Sequence, residues 1–467
     1  MELSNYGVMT KVEYIQEYLE KVYPGQIRHD VVTDKVQIND AAKLPNDEMS
    51  AAAPLNDVNA HWRELTKKDV NTMVCECAAG SSMNITDREV RCVLNSDFVP
   101  SVHPLREYIL SLPEFDPNCG VDPIDMLAGQ VHVAESDKSL VVGRSNLASL
   151  ERSASLYASL DDNSQERWRK VFKKWFVAMV ASWMSDEVVN QHVLVLIGKQ
   201  GIYKTTWLER LLPPELRGYG SKLANLHDLT KDDRLRIAEC ALINIDEIDA
   251  LNDRELNQMK SVITAADVNE RAAYAYSKER RMRLASFCAS GNKREFLTDT
   301  TGNRRWLPFE VESIDSPFDN AVQPYKFYYA QAWWLIRNGF NYWFASEDVR
   351  ALEDHVESFR RTTSEEDLLP VYYSPASLDD SGAVLRTAAE MLSKLTWQGT
   401  IKHPMSLSAF GKLLSAKGYE QKRIGHDRHR AYLVIENQRN MATDQAMIDK
   451  LKAEENADNA DTRTEVF

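Results

Sequence analysis

The sequence predicts an α/β fold built on a parallel sheet. Three apolar runs have the length and composition of strands buried on both faces, and each ends in glycine or polar residues. They lie at residues 192–197, 241–245 and 284–290. Open α/β sheets bind ligands beyond the carboxyl ends of their strands. Functional residues are therefore expected at the ends of these three strands.

The turn after the first strand has the composition of a phosphate-binding loop. It reads Gly198-Lys199-Gln200-Gly201-Ile202-Tyr203-Lys204-Thr205-Thr206. A helix is predicted from Thr205 to Leu212, where two prolines end it. In such loops backbone N–H groups and the helix start surround phosphates, a lysine neutralises the β/γ oxygens, and a hydroxyl reaches Mg²⁺. Lys204 and Thr205 suit those roles, so ATP and Mg²⁺ are the expected ligands. The predicted nucleotide-binding residues are Gly198, Gln200, Gly201, Ile202, Tyr203, Lys204, Thr205 and Thr206.

The loop departs from the usual pattern G-x-x-x-x-G-K-[ST] at one position. Tyr203 stands where the second glycine is expected. A Cβ atom there limits the backbone angles and the approach to phosphate, and Gly201 can supply the flexibility instead. The alternative interpretation is a buried strand that ends in an ordinary glycine turn.

The second strand ends in two acids. Asp246 is predicted to hold Mg²⁺ through water, and Glu247 to orient and deprotonate an attacking water. Tandem acids after a strand are also common where a helix begins. Their position after a phosphate loop and before a third strand favours the catalytic interpretation.

The third strand ends at Gly291 and Asn292, and Asn292 is predicted to position water beside the γ-phosphate; a plain Asx turn is the alternative. Downstream, Arg304 and Arg305 precede a strand at residues 306–311. They are predicted to stabilise transition-state charge, donated by a neighbouring subunit as in ring ATPases. A structural salt bridge is the alternative for either arginine.

Four segments now stand in order: the loop at 198–206, Ile245-Asp246-Glu247, Ser290-Gly291-Asn292 and Thr301-Gly302-Asn303-Arg304-Arg305. Together they resemble the virulence-associated protein E family of phages and mobile elements, which is related to superfamily 3 helicases and poxvirus-type primase-helicases. The resemblance is strongest over about residues 160–312. It implies a P-loop NTPase core (AAA+-like, superfamily 3 helicase-type), with Lys204 and Thr205 on Mg·ATP, Asp246 and Glu247 as the metal and base pair, Asn292 as sensor and Arg304 or Arg305 as finger.

Composition sets outer limits on the function. The chain has 467 residues, is 43% hydrophobic and 27% charged, and carries a formal net charge of −14, which argues against general coating of nucleic acid. Six cysteines form no CxxC pair, so free thiols in a reducing compartment are expected rather than a metal site. Without a signal sequence or an apolar run long enough for a membrane span, a cytoplasmic protein is predicted.

Pattern changes along the chain predict five segments. They are a mostly helical region at 1–155, the ATPase domain at 156–315, a helical lid or linker at 316–370, a basic winged-helix-like domain at 371–438 and an acidic flexible tail at 439–467. Within them we expect a hairpin at 29–38, a helix capped by Thr86 and Glu89, and an amphipathic helix at 164–189 whose aromatic stripe packs in the core. The C-terminal domain is predicted from helices at 383–395 and 406–418 and strands at 421–424 and 431–435.

Two basic segments are candidates for DNA contact. The first lies between the acid pair and Asn292, where related ring helicases place a DNA-contacting hairpin; a solvated face is the alternative. The second is the winged-helix-like domain, for which docking of a protein is the alternative. The predicted nucleic-acid-binding residues are Lys278, Arg280, Arg281, Lys412, Lys422, Arg423, Arg428 and Arg430.

The combined expectation is an ATP-hydrolysing DNA helicase or translocase that acts in replication of a phage or mobile element. Its expected partners are single-stranded or forked DNA, further copies of itself, for which the family analogy suggests a hexamer, and a separate primase, with no membrane. The competing hypothesis is an ATP-gated DNA-binding switch or scaffold that does not unwind processively.

Overall fold

A computed structural model of the chain describes residues 9–40, 62–135, 164–223, 230–270, 279–298, 303–316, 325–398, 401–424 and 429–437. Its contacts divide the chain into two compact units, Met1–Arg360 and Arg361–Phe467. Both units combine helices and sheets, so the mixed α/β class expected from the sequence is confirmed.

The first unit begins with a four-stranded sheet and three helices. The elements are α1 (Lys11–Val22), β1 (Ile27–Asp30), β2 (Lys35–Asn39), β3 (Trp62–Glu64), α2 (Lys67–Ala79), α3 (Asp87–Leu94) and β4 (Ser101–Val102). The strand order is β3-β2-β1-β4. The predicted hairpin is present as β1 and β2, and the Thr86 N–H donates to Glu89 Oε2 at 2.8 Å as expected for the predicted cap. The sheet itself is new, because this region was predicted to be mostly helical.

A second group of elements leads to the central sheet. It contains α4 (Pro104–Ser111), α5 (Pro123–Gly129), β5 (Val131–Val133) and α6 (Ser164–Met184). On α6, Trp168, Phe172, Trp175 and Trp183 are fully buried, and Trp168 packs edge-on against Phe309 at 5.1 Å. The aromatic stripe is therefore core, as predicted.

The central sheet has six strands in the order β5-β12-β6-β11-β8-β7. After α6 the chain passes through β6 (Val193–Gly198), α7 (Lys204–Glu209), β7 (Gly220–Leu223), α8 (Lys231–Glu239), β8 (Leu242–Ile245), α9 (Asp253–Thr264), β9 (Asp267–Glu270), β10 (Glu279–Met282), β11 (Ser286–Gly291) and β12 (Trp306–Ile314). Neighbours from β12 to β7 are parallel, and β5 is antiparallel to β12. β9 and β10 form a separate antiparallel hairpin.

The three strands predicted from apolar runs are β6, β8 and β11, in the middle of this sheet. Their residues are almost entirely buried because the sheet is covered on both faces, which explains their continuous rather than alternating hydrophobicity. The predicted helix after β6 is shorter than expected. It ends at Glu209, because Leu211 and Leu212 turn into the core before the extended Pro213.

Two further helices complete the first unit, α10 (Tyr325–Arg337) and α11 (Ser346–Glu357). Tyr328 and Tyr329 of α10 are buried, and the Tyr329 hydroxyl donates to the Leu211 carbonyl at 2.8 Å. These two tyrosines are therefore part of the hydrophobic core that includes the central sheet.

The second unit is built around one central strand. Its elements are α12 (Ser364–Tyr372), β13 (Tyr373–Pro375), β14 (Val384–Arg386), α13 (Ala388–Gln398), α14 (Leu407–Ala416), β15 (Gln421–Ile424) and β16 (His429–Glu436). β13, β14 and β15 all pair antiparallel with β16. The expected second helix and both strands are present. The expected first helix starts later, because residues 384–386 form β14 instead.

Candidate functional site

Three strand ends meet at the carboxyl edge of the central sheet. Gly291 of β11 pairs with Ile197 of β6, and Ala289 of β11 pairs with Ile245 of β8. The loop after β6, Asp246 after β8 and Asn292 after β11 consequently lie side by side. This is the edge at which an open α/β sheet binds its ligands.

The loop after β6 follows a tightly constrained path. A Cβ atom on Gly198 would lie 2.4 Å from the Val311 carbonyl oxygen of β12, so this position requires glycine. Gly201 (φ +87°) and Tyr203 (φ 66°, ψ 14°) both have left-handed backbone conformations. Tyr203 therefore adopts the conformation that a glycine would adopt more readily, at a cost of about 1–2 kcal/mol. The flexibility does not come from Gly201 alone.

Lys204 occupies the centre of the site. It is buried, and its Nζ donates to the carbonyls of Gly198 at 2.8 Å and Lys199 at 2.6 Å and to Asn292 Oδ1 at 3.3 Å. Burial lowers its pKa, an effect that the charges of Asp249 and Asp246 oppose. An ammonium with three protein acceptors is held in one position, from which it can exchange an acceptor for a phosphate oxygen.

A cluster of oxygen atoms adjoins the lysine. Ser290 Oγ donates to Asp246 Oδ1 at 2.6 Å, and Thr205 Oγ1 lies 3.3 Å from the same oxygen and 3.0 Å from Ser290 Oγ. The alternation of β11 directs Ser290 toward Asp246. The sequence prediction did not include Ser290, although its place beside Asn292 at the strand end was a usable signal.

This cluster suits Mg²⁺ better than a transition metal. Mg²⁺ prefers oxygen ligands and is usually bound by one or two carboxylates together with phosphate oxygens and water. Within the part of the chain that the structure describes, no group of three or more His, Cys, Asp or Glu residues could hold a metal ion. The oxygen atoms of Thr205, Asp246 and Ser290 therefore fit a magnesium ion whose other ligands are phosphate oxygens and water.

Glu247 directly follows Asp246, the carboxylate that fits a metal ion. Its backbone is left-handed (φ 53°, ψ 46°) and its side chain is exposed at the carboxyl edge, before a short 3₁₀ turn at Ile248–Ala250. An L-residue in this conformation is strained, and such strain is concentrated at functional sites. Asp246 and Glu247 therefore lie between the end of β8 and the start of this turn.

Asp249 is a site residue that sequence reasoning missed. Its carboxylate accepts from the backbone N–H groups of Asn292 at 3.0 Å and Lys293 at 3.3 Å. A Cβ atom on Gly291 would lie 2.8 Å from Asp249 Oδ1, so glycine permits this approach. Asp249 thus fixes the end of β11 and places a negative charge near Lys204. Only the tertiary fold brings these residues together.

The other loop residues that were predicted to bind nucleotide lie in different surroundings. Gln200 is exposed in the turn, and Ile202 packs partly buried against the core. Thr206 lines a separate cavity between α7 and β7 rather than facing Asp246. The structure therefore brings together Lys204, Thr205, Asp246 and Asn292, while it places Thr206 elsewhere.

Arg304 and Arg305 lie at the opposite edge of the sheet. They belong to a 3₁₀ turn immediately before β12, and Trp306 at the start of β12 pairs with Val193 at the start of β6. β6 runs from that edge to the phosphate-type loop, a length of roughly 16–20 Å. The two arginines and Lys204 of one chain are therefore at opposite ends of the same strands.

The arginines line a cavity of about 610 Å³ together with His192 and Arg350. The pKa of His192 is lowered to about 4, first by burial and then by the nearby charges of Arg305 and Arg304. The pKa of Arg305 is lowered by burial and then by Arg304. Glu353 and Glu357 line the same cavity, so its three arginines are partly balanced by two acids.

Comparison with known proteins identifies a family domain in the region that carries the strand-end cluster and the arginine cavity. Residues 145–361 match the virulence-associated protein E-like domain. This match confirms the resemblance found in the sequence for that part of the chain. The virulence-associated protein E-like domain holds the strand ends, Lys204 and both arginines.

Solved structures add a distant likeness. Two apo structures of the C-terminal region of NrS-1, residues 305–718, each cover 91% of this chain at 11% identity with a TM-score of 0.41. The similarity spans 99% of one NrS-1 chain and 100% of the other. No curated protein matches the sequence. Among the described residues, no helix is long and apolar enough to cross a bilayer.

The basic hairpin of the virulence-associated protein E-like domain is partly held by ion pairs. Arg280 is exposed and pairs with Asp267 at 2.8 Å. Arg281 is largely buried and contacts Glu239 at 3.1 Å and Asp34 at 3.2 Å, which links the hairpin to the N-terminal sheet. Lys278, the third predicted residue, lies outside the described residues. Of the two described arginines, Arg280 is the one exposed to solvent.

In the second unit the predicted basic residues differ in their surroundings. Lys412 is exposed on α14, and Lys422 forms an ion pair with Glu420. Arg423 of β15 pairs directly with Arg430 of β16, and both side chains are exposed. Arg428 lies outside the described residues. Like charges directly opposite one another destabilise a strand pair, so a bound anion would relieve this one.

Proposed function

We propose that the chain is an ATP-hydrolysing enzyme of the P-loop, ring-helicase type that acts on DNA during replication of a phage or mobile element. One observation carries the proposal. Lys204 contacts Asn292 and Thr205 contacts Asp246 at a single carboxyl edge, although five strands lie between Thr205 and Asn292 in the sequence. A lysine beside hydroxyl, carboxylate and amide groups at strand ends is the set of groups that would bind a phosphate together with Mg²⁺.

The protein groups divide the work of phosphoryl transfer to water. Lys204 would bind the β- and γ-phosphates, and its lowered pKa reflects burial that a bound polyphosphate would offset. Thr205, Asp246 and Ser290 would hold Mg²⁺, which supplies charge neutralisation on the phosphates when it is bound. Catalysis in this reaction class depends mainly on such positioning and electrostatics.

The attacking water needs its own partners. Glu247 is exposed beside Asp246, so its carboxylate can accept a proton from a water next to the γ-phosphate. The Asn292 side chain accepts a hydrogen bond from Lys204, and the Asn292 backbone N–H donates to Asp249. The side-chain amide is thereby held where it can position that water. These two side chains act on the water, whereas Lys204 acts on the phosphates.

The position of Arg304 and Arg305 supports an oligomer. They cannot reach the phosphates held by Lys204 of the same chain, because a whole strand length separates the two edges. A head-to-tail arrangement would bring the amino edge of one copy against the carboxyl edge of the next, and such an interface forms a ring when the rotation between copies closes. We propose a homo-oligomer, with a hexamer as the guiding case, in which the arginines complete each neighbouring site.

Replacing Glu247 with glutamine tests the assignment of the base. The E247Q variant should bind ATP with an affinity close to that of the wild type but hydrolyse it about 10²–10⁴-fold more slowly, because the amide cannot accept the proton. Binding would be measured by calorimetry and hydrolysis by phosphate release. The matched control is E20Q, which changes an exposed glutamate on α1. Loss of ATP binding in E247Q would show that the residue is structural.

DNA contact by the second unit rests on the opposed Arg423 and Arg430. We propose that this unit is a winged-helix module whose β15–β16 hairpin binds DNA phosphates. The double variant R423Q/R430Q should weaken binding of forked DNA and reduce the slope of log affinity against log salt by about 2, since each phosphate contact contributes about one counterion.

The control for this experiment removes two charges elsewhere. K67Q/K68Q changes two exposed lysines at the start of α2 and should leave the salt slope unchanged. Binding would be followed by fluorescence anisotropy at several salt concentrations. An equal loss in both double variants would indicate a general charge effect, and an unchanged R423Q/R430Q slope would assign the hairpin to a protein partner.

A further inference from the structure

A second cavity lies beside α7, on the side away from the oxygen cluster. Its volume is about 360 Å³, within the range of small-molecule sites. Thr206 and Glu209 of α7 form one wall, the edge strand β7 forms another, and Leu242 and Asn244 of β8 form the floor. None of these residues takes part in the proposed hydrolysis.

Asn244 is the unusual feature of this cavity. Its side chain is 2% exposed, and neither the amide nitrogen nor the amide oxygen has a hydrogen-bond partner. Buried side-chain amides in native proteins almost always have partners, and an exception needs an explanation. Its strand neighbours Ile243 and Ile245 are apolar, so an apolar residue would satisfy packing at this position better. The unpaired donor and acceptor therefore indicate a ligand.

The rest of the cavity has a definite chemical character. Leu212 and Leu242 contribute apolar walls, while Arg217 and Lys222 stand exposed at the rim. Lys222 is held by Glu209 at 2.5 Å. An amide surrounded by apolar side chains suits a heteroaromatic base, and the cations at the rim suit a phosphate.

We propose that this cavity binds an adenine nucleotide with a single phosphate. The Asn244 amide can donate and accept at once, which matches the acceptor N7 and donor N6 on one edge of adenine. Arg217 and Lys222 would then contact the phosphate. The site is separate from the one that holds ATP, because Thr206 faces it while its neighbour Thr205 faces Asp246.

The test measures AMP binding to the full chain by calorimetry. The wild type should bind AMP saturably at one site, and N244L and R217E should each weaken it at least about 10-fold. N244L keeps the side-chain size and removes the unpaired amide, so its thermal unfolding midpoint should not fall. The charge control R88E, which reverses an exposed arginine on α3, should bind like the wild type.

A third variant separates the two nucleotide sites. K204M should retain AMP binding if AMP occupies the cavity, and should lose it if AMP occupies the phosphate loop. The proposal is overturned if wild-type protein fails to bind AMP, if N244L or R217E binds it normally, or if K204M alone abolishes binding. These results leave the hydrolysis proposal untouched, since that is tested by the ATP hydrolysis of the Lys204 and Glu247 variants.

Discussion

Replacing Lys204 with alanine should reduce ATP hydrolysis by about 10³-fold or more. The change removes a buried positive charge from the one position where the Gly198 and Lys199 carbonyls and Asn292 hold it. It removes both the charge that neutralises the phosphates and the geometry that orients them. Phosphate release from purified protein, measured with and without DNA, gives the rate.

The control for this prediction is K231A, which truncates an exposed lysine at the start of α8 in the same unit. It should hydrolyse ATP at the wild-type rate. Because K204A leaves three acceptors without their donor, its fold should be checked by circular dichroism, and K204M provides a variant that keeps the buried methylenes. Substantial hydrolysis by folded K204A and K204M would mean that the site lies elsewhere.

The sequence predicted the core of this site because its signals are local. Buried parallel strands are continuous apolar runs, and the residues at their carboxyl ends are adjacent in the sequence to those runs. Lys204, Thr205, Asp246 and Asn292 could therefore be located without knowing how the strands pair. The order of the strands then brought the four residues together.

Other features depend on contacts that no local pattern contains. Asp249 becomes a site residue only because Gly291 has no side chain and lets its carboxylate reach the end of β11. Arg281 looked like a DNA contact, yet it pairs with Asp34 from the other end of the unit. Asn244 was hidden inside an apolar strand pattern. In each case the deciding neighbour is distant in the sequence.

Tyr203, whose backbone is left-handed, shows a different limit on prediction from the sequence. The sequence marked this position as a departure from the usual glycine, but could not tell whether the loop would change its path or the tyrosine would accept the strain. The structure keeps the path, since Trp207 N–H still donates to the Tyr203 carbonyl at 2.8 Å to begin α7. The register of Lys204 is thus preserved at the expense of one strained residue.

Mixing two inactive variants should restore hydrolysis if the arginines act between copies. K204A has intact arginines but no functional phosphate site, and R304A/R305A has the reverse. Each alone should be inactive, the second by about 10³–10⁵-fold as for other arginine fingers. After dissociation and random reassembly of equal amounts, a junction is complete only when an intact loop meets an intact arginine pair. One junction in four meets this condition, so about a quarter of wild-type activity should return.

The result separates the two possible arrangements without a structure of the oligomer. If the arginines served the site of their own chain, every chain in the mixture would carry a defect and no activity would return at any ratio. Varying the ratio sharpens the test, because complementation is greatest at equal amounts and falls symmetrically on either side. A flat, inactive profile from variants that still assemble, judged by light scattering with ATP and forked DNA, would contradict the head-to-tail proposal. It would also require a different role for the cavity that Arg304 and Arg305 share with His192, because a strand length would still separate that cavity from Lys204.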